Sequence, residues 1–162
     1  MENINNLYDT DYHQWVEQQK QLLQSGQLDR LDIKNLLEEL GEVGKQNQHA
    51  LESHLINLIL HLLKHQYQTQ VINPQRYEPQ EFRSWYDSID TARRETRRLM
   101  KKNPSLKSRM AEVITDSYPD AKAGAINQMN KYLPKDQWLT DQSFPAECPW
   151  SYDQLIDDDW FP

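Results

Sequence analysis

Three histidines lie along one side of the longest helical pattern in the chain, at a spacing that could hold a metal ion. His61 and His65 are four residues apart, and on a helix they lie within about 20° of the line through His54. Imidazoles at i and i+4 point the same way, which is a known zinc-binding geometry. The sequence adds no second dense histidine cluster to complete a ligand set. We therefore expect no bound metal and no cofactor, and interpret His61 as a boundary histidine hydrogen-bonded to a neighbouring helix.

Acidic residues cluster earlier in the same pattern, at Glu38, Glu39 and Glu42. Acids near a helix start are favoured by the helix dipole and are usually solvated. Acid–base catalysis would need a second group across a cleft. In a straight helix Glu39 and His61 would be about 33 Å apart, so they could meet only if the chain turned back near Gly41–Gly44. On that condition the candidate catalytic residues are Glu38, Glu39, His61 and Lys64.

A run of basic residues could follow a nucleic-acid backbone. Its members are Arg93, Arg94, Arg97, Arg98, Lys101 and Lys102. On a helix they lie opposite the apolar stripe that contains Ile89 and Leu99. Because the net charge of the chain is −7, the simpler interpretation is a solvated face or one paired internally. The natural internal partners are the three aspartates at 157–159.

Other reactive motifs are missing from the sequence. Cys148 is the single cysteine, and no basic residue close to it in sequence could activate its thiol. The chain has four glycines, with neither a Gly-rich phosphate loop nor a serine nucleophile elbow. A lone cysteine fits a reducing compartment, and the longest apolar run, 58–63, is far below the roughly 20 residues of a membrane span. The N-terminus shows no secretory signal. We expect a cytoplasmic protein with no membrane partner.

Helical periodicity supplies the elements that would position these residues. A first helix is predicted at about 10–24, with Asp9 or Thr10 as its cap and Gly26 just beyond its end. The pattern at 33–68 follows a cap at Asp32 and is either one central helix or two that meet near Gly41–Gly44. Its second half has an apolar arc of about 200°, which indicates contact with several neighbours.

The second half of the chain continues the helical pattern. After a predicted loop at 69–79, a third helix is expected at about 79–102, and Asn103-Pro104 is a clear boundary. A further apolar pattern reaches Met129, and within it Pro119 either kinks the helix or starts a new one near Ser117. Residues 133–150 are predicted to be extended, followed by a short helix near 151–157.

Charge is unevenly distributed along the chain. Residues 1–60 carry ten acidic and four basic residues, 61–140 carry nine acidic and fourteen basic, and 141–162 carry six acidic and none basic. The acidic C-terminal segment is also rich in large apolar side chains, among them Trp150, Trp160 and Phe161. Such a segment is too apolar for a solvated tail. We predict that it docks on the body, with the basic third helix as its charge partner.

Several blocks together resemble bacterial domain-of-unknown-function family 29, which is common in photosynthetic bacteria. They are LYDTDYHQWVEQQKQLL at 7–23, LDIKNLLEELGEVGK at 31–45, LESHLINLILHLLKHQYQ at 51–68, NPSLKSRM at 103–110 and FPAECPWSYDQLIDDDWFP at 144–162. The resemblance implies an almost entirely helical fold and no established activity. The family usually has Trp where this chain has His65, which argues against a shared site there. Glu38, Glu39, His61, Lys64, Tyr67 and Gln68 match its usual residues.

We predict an all-α fold: a single-domain bundle of four to five helices over residues 1–162, with an extended C-terminal segment packed on it. The favoured function is a cytoplasmic, non-catalytic helical module for protein interaction or regulation, whose partner is another protein. One alternative is a helical-bundle enzyme or metal-binding protein that uses His61 with Glu38, Glu39 and Lys64. The other is nucleic-acid binding through the basic face from Arg93 to Lys102. The oligomeric state stays open.

Overall fold

The fold is all-α, as predicted. The computed structural model describes the backbone of residues 7–72 and 79–162 and their side chains outside 79–82. Within these residues there is no strand, and the helices are α1 (Leu7–Thr10), α2 (Tyr12–Gln24), α3 (Ile33–Tyr67), α4 (Pro79–Lys102), α5 (Met110–Asn130) and α6 (Tyr152–Ile156). The short α6 is the helix predicted near 151–157, and the short α1 is the one helix of these six that was not predicted separately. No helix among the described residues is long and apolar enough to cross a membrane.

The chain divides into two compact units, residues 1–46 and residues 47–162. We call them the N-terminal unit and the C-terminal unit. The boundary lies within α3, which contributes its first turns to one unit and its remainder to the other. That the whole chain forms a single domain stays a prediction.

The helices of the N-terminal unit begin and end at local signals. Asp11, rather than Asp9 or Thr10, caps α2, because its carboxylate accepts a hydrogen bond from the Gln14 backbone N–H at 3.0 Å. Gly26 follows α2 with a φ of 71°, which a residue with a Cβ rarely adopts. The Asp32 carboxylate accepts from the Asn35 N–H at 3.3 Å at the start of α3, as predicted.

The segment predicted as either one helix or two that meet near Gly41–Gly44 is a single helix, α3. It runs without interruption from Ile33 to Tyr67, because each glycine weakens a helix by only about 1 kcal/mol and no proline accompanies them. One turn of π-helix, Gln68–Ile72, extends it. The loop predicted to begin at Thr69 is therefore wrong at its start, and the Thr69 hydroxyl bonds back to the His65 carbonyl at 2.8 Å.

The core of the C-terminal unit forms around the second part of α3. The buried apolar residues on that helix are Leu51, Leu55, Leu58, Ile59, Leu60, Leu62 and Leu63. Helix α4 has the predicted bounds. Helix α5 continues through Pro119, so of the two alternatives for that proline, a new helix near Ser117 is wrong. Helices α4 and α5 and the C-terminal segment all supply buried apolar side chains to the same core.

The C-terminal segment docks on this core, as predicted. Leu139, Phe144, Trp150 and Leu155 are all buried. Short 3-10 turns at Lys135–Gln137 and Asp141–Ser143 interrupt the region expected to be extended. The Asn130 side chain exchanges two hydrogen bonds with the Leu139 backbone, at 2.8 and 3.0 Å. These bonds satisfy buried backbone groups that no regular structure pairs.

Candidate functional site

In the N-terminal unit, the carboxylate of Glu39 joins α1 and α2 to the first part of α3. The hydroxyls of Tyr8 and Tyr12 each donate to one of its oxygens at 2.7 Å. These two bonds lower the pKa of Glu39, and the same contact raises the pKa of Tyr8 to about 12. Glu39 therefore holds the hairpin together, whereas the predicted catalytic partner Glu38 is exposed.

A second polar group fixes the loop between α2 and α3. The Trp15 indole N–H donates to Asp32 at 3.1 Å, and the Asp32 backbone N–H donates to the Gln19 side chain at 2.8 Å. Trp15 and Gln19 are each 2% exposed. Because both buried side chains find partners on the opposite side of the loop, the two helices are held in one register.

An apolar groove runs between these two helices. Its volume is about 390 Å³. We call it the hairpin groove, and its lining residues are Tyr12, Trp15, Val16, Gln19, Lys20, Leu23, Gln24, Leu36, Glu39, Leu40 and Val43. The sequence predicted the two helices but carried no signal that the space between them is unfilled.

Beside the groove, α3 carries an exposed apolar stripe, formed by Ile33, Leu37, Leu40 and Val43. Their exposed fractions are 53%, 64%, 68% and 53%. With Leu36 the stripe spans about 120° of the helix surface, the width of a face that normally packs against a neighbour. The α3 stripe and the hairpin groove therefore form one continuous apolar surface in the N-terminal unit.

The catalytic hypothesis required Glu39 and His61 to meet through a reversal of the chain. Helix α3 contains no such reversal at Gly41 or Gly44. His61 is half-buried in the C-terminal unit, and its buried Nδ1 has no hydrogen-bond partner among the residues that the structure describes. Burial and, to a smaller extent, the charge of Lys64 lower the pKa of His61 to about 4. His61 is therefore a neutral ring at physiological pH.

The neighbouring-helix hydrogen bond predicted for His61 is found instead at His65. Its Nε2 lies 3.1 Å from the Tyr86 hydroxyl of α4. The rings of Tyr86 and Phe161 lie 5.6 and 5.2 Å from the imidazole, centre to centre. A one-turn difference along α3 decides which histidine reaches α4. Within the described residues no three His, Cys, Asp or Glu side chains are placed to hold a metal ion.

Lys64 is buried at the point where α3, α4 and α5 meet, with 5% of its surface exposed. Its ammonium group donates to Gln128 Oε1 at 2.9 Å and lies 4.4 Å from the centre of the Trp85 ring. A cavity of about 360 Å³ adjoins it, lined by Lys64, Gln68, Ser84, Trp85, Met129, Tyr132 and Leu133. The sequence indicated Lys64 as a candidate residue but carried no signal for the cavity, whose lining comes from α3, α4 and the end of α5.

The basic run does not form one exposed face, because Arg93 is fully buried. Its guanidinium donates to the carbonyls of Leu155 and Trp160 at 2.8 and 2.7 Å and, more weakly, to that of Asp158 at 3.4 Å. It also lies over the Phe161 ring. The expectation that Arg93 lies opposite the buried stripe is wrong, because the C-terminal segment covers its side of α4.

Arg97 supplies the charge contact that was predicted between the third helix and the acidic tail. It pairs with the Asp158 carboxylate at 3.0 Å and donates to the Ile156 carbonyl at 2.6 Å. The four remaining members of the basic run, Arg94, Arg98, Lys101 and Lys102, are exposed. Nucleic-acid contact through these residues stays a prediction.

Cys148 is half-buried within the docked C-terminal segment. Its thiol donates to the Trp150 carbonyl at 3.7 Å, and burial raises its pKa. A raised pKa keeps the group in the unreactive thiol form.

The sequence matches the model of one protein family. A family model described as "Domain of unknown function DUF29" matches residues 7–161, nearly the whole chain. The match includes both units and the docked C-terminal segment. No curated protein and no solved structure matches the chain.

Proposed function

The chain belongs to the DUF29 family, and we propose that it is a non-catalytic helical module that binds a protein partner through its N-terminal unit. The binding surface is the hairpin groove together with the α3 stripe. The partner is a basic amphipathic helix of another protein.

The exposed apolar surface is the observation that carries this proposal. Leu37, Leu40 and Val43 each expose more than half of their surface, and Leu23 on α2 exposes 52%. Isolated exposed leucines are common on proteins, but a contiguous apolar patch marks an interaction site. Two helices alone cannot cover the apolar faces of both, and a third helix laid in the groove would complete a three-helix arrangement.

Charge indicates the chemistry of the partner. Residues 1–46 contain nine acidic and four basic residues. Glu39 lines the groove, whereas Glu38 and Glu42 are exposed on the side of α3 opposite the stripe. A partner helix with lysines or arginines flanking its apolar positions would therefore gain both faster association and correct orientation. An apolar face with anchors at i, i+3, i+4 and i+7 is the usual form of a helix that binds in a groove.

Synthetic peptides can test the surface before a natural partner is known. We expect a peptide with Leu at the anchor positions and Lys elsewhere to bind the full chain, measured by fluorescence anisotropy. The same peptide with Glu in place of Lys should bind at least about tenfold more weakly.

A matched pair of variants locates the binding. Leu40→Ser should weaken binding of the Lys peptide about tenfold or more, whereas Leu28→Ser should leave it unchanged, because Leu28 is 61% exposed but lies outside the groove. Equal binding of both peptides, or equal loss in both variants, would contradict the proposal. Sedimentation showing a dimer that Leu40→Ser dissociates would identify a second copy as the occupant instead.

We further propose that the protein acts in the cytoplasm. The support is the single cysteine, which has no partner within the chain for a disulfide and fits a reducing compartment. The test is a fusion to a fluorescent protein that becomes fluorescent only after export from the cytoplasm. Fluorescence from that fusion would contradict this location.

A further inference from the structure

The cavity beside Lys64 is a second candidate binding site. It lies in the C-terminal unit and shares no residue with the hairpin groove. Lysine is rarely buried without a partner of opposite charge, because removing the ammonium group from water is costly. Lys64 is 5% exposed, so the way in which its charge is satisfied needs an explanation.

The contacts of Lys64 leave part of its hydrogen-bonding capacity open. An ammonium group has three N–H donors, and one of them bonds Gln128 Oε1. The Trp85 ring stabilises the charge through its π face. The ion pairs formed within 7–72 and 83–162 do not include Lys64. The site therefore has a fixed cation without a carboxylate from the described part of the chain.

The cavity next to this cation has the size and character of a small-molecule site. Its volume, about 360 Å³, lies in the lower part of the range that such sites occupy. Gln68 and Ser84 add polar groups beside Lys64, whereas Trp85, Met129 and Leu133 add apolar surface. A few polar groups within an apolar lining are what orients a bound ligand.

The charge of the lining limits the class of ligand. Among the lining residues that the structure describes, Lys64 is the one with a cationic side chain. Phosphate dianions are usually held by several cations or by the backbone amides of a helix N-terminus. A single ammonium group instead matches a single carboxylate. We propose that the cavity binds a small organic carboxylate, whose charged group pairs with Lys64 and whose apolar part packs against Trp85, Met129 and Leu133.

Binding and protonation are then coupled. Burial lowers the pKa of Lys64, because the charged form is less stable in the protein than in water. A bound carboxylate would stabilise that charged form and raise the pKa again. By linkage, the carboxylate binds more tightly to the protonated protein, so its affinity falls as the pH rises through the pKa of Lys64.

Matched pairs of probe molecules test the anion directly. We expect benzoate and hexanoate to bind the full chain with millimolar affinity or better by isothermal titration calorimetry. Benzamide and hexanamide, which have similar shapes but no charge, should bind at least about tenfold more weakly. Inorganic phosphate should not compete with benzoate. Equal binding of acid and amide, tighter binding of phosphate, or no binding of the acids would overturn the proposal.

Two variants assign the binding to this cavity. Lys64→Met keeps the volume of the side chain and should remove the preference for benzoate over benzamide. Its control is Lys131→Met, which removes the same charge from an exposed lysine and should keep that preference. Circular dichroism and the urea midpoint establish whether Lys64→Met is folded.

The second variant keeps Lys64 in place. Ser84→Phe introduces a ring at an exposed position of the cavity wall and should weaken benzoate binding at least about tenfold by occupying the space. Ser53→Phe adds the same ring at an exposed position of α3 outside the cavity and should have no effect. Unchanged binding in Ser84→Phe would place the carboxylate elsewhere and would contradict the site.

Discussion

Helix α3 shows the same apolar spacing in both units, with opposite results. In the N-terminal unit Leu37 and Leu40 are 64% and 68% exposed, whereas in the C-terminal unit Leu55 and Leu62 are fully buried. The amino acid is the same and the helix is continuous. The difference lies in the number of packing neighbours, because the buried part is surrounded by α4, α5 and the docked tail. An apolar stripe thus shows that a helix needs a partner, and only the fold shows whether the chain supplies it.

The polar residues of the two units also differ in how far they are buried. In the N-terminal unit Glu39 accepts hydrogen bonds from two exposed or half-exposed tyrosines. In the C-terminal unit Arg93 and Lys64 are cations enclosed by the core. Interactions in a dry interior are stronger and their loss is more costly. We therefore expect mutations in the two units to differ in their effects on stability.

The largest expected difference is between two leucines of α3. Leu55→Ala removes a fully buried side chain and should lower the free energy of unfolding by about 2–5 kcal/mol. Leu40→Ala should change it by about 0.5 kcal/mol or less, because the side chain is mostly in water. Urea denaturation gives the free energy of unfolding of both variants and of the parent. Similar losses would mean that Leu40 is covered in solution, which would contradict the open surface.

Arg93 tests how firmly the C-terminal segment is held. Arg93→Met removes the donors to the Leu155 and Trp160 carbonyls and should cost about 3 kcal/mol, because these groups lose their partner inside the protein. Protease cleavage after residue 150 should become faster. Arg94→Met is the control, since the Arg94 side chain is 64% exposed. If the Arg93→Met protein is as stable and as protease-resistant as the parent, Arg93 does not hold the C-terminal segment in place.

His61 makes the stability of the C-terminal unit depend on pH. The folded ring has a pKa of about 4 against an ordinary 6.5, so between these values the unfolded chain binds a proton that the folded chain does not. Stability is therefore lost as the pH falls from about 6.5 towards 4, by up to about 2 kcal/mol for a half-buried ring. His61→Leu should remove this part of the loss, measured by urea denaturation at both ends of the range.

The control for His61 is His49→Leu, because the His49 side chain is 72% exposed. It should keep the pH dependence of the parent protein. If His61→Leu loses the same free energy on acidification as the parent, the acid sensitivity has another source.

Two helical glycines give the smallest expected effect. At Gly41 an added Cβ would meet no atom within 4 Å, whereas at Gly124 it would lie 2.6 Å from Leu60 Cδ1. Gly41→Ala should stabilise the protein by about 0.5–1 kcal/mol through helix propensity. In Gly124→Ala the same gain should be offset by displacement of Leu60. Thermal melts that rise equally for both variants would show that α5 does not approach α3 this closely.

Local signals in the sequence predicted much of the fold. Asp32 as a cap, Gly26 beyond the end of α2 and the bounds of α4 were all predicted, because caps, glycines and prolines act over a few residues. The docking of the C-terminal segment was predicted from its aromatic content. The family was also identified from blocks of sequence.

The candidate sites were predicted less well. Lys64 was named, but its cavity was not, since the lining residues come from three separate parts of the chain. Arg93 was placed on the wrong side of α4, because a helical wheel shows where the stripe lies and not which distant segment covers the rest. His65 rather than His61 bonds Tyr86, and one turn of α3 made that difference.

The sequence by itself determined that the chain is helical, where most helices begin and end, and that its acidic tail is too apolar to remain in water. These properties depend on residues that are neighbours along the chain. Only the tertiary structure decided which apolar faces are covered, that Arg93 is enclosed by carbonyls some sixty residues later, and that Lys64 lies beside a cavity. Those outcomes depend on packing between distant segments, which buries the apolar face of α3 in the C-terminal unit and leaves that of the N-terminal unit exposed.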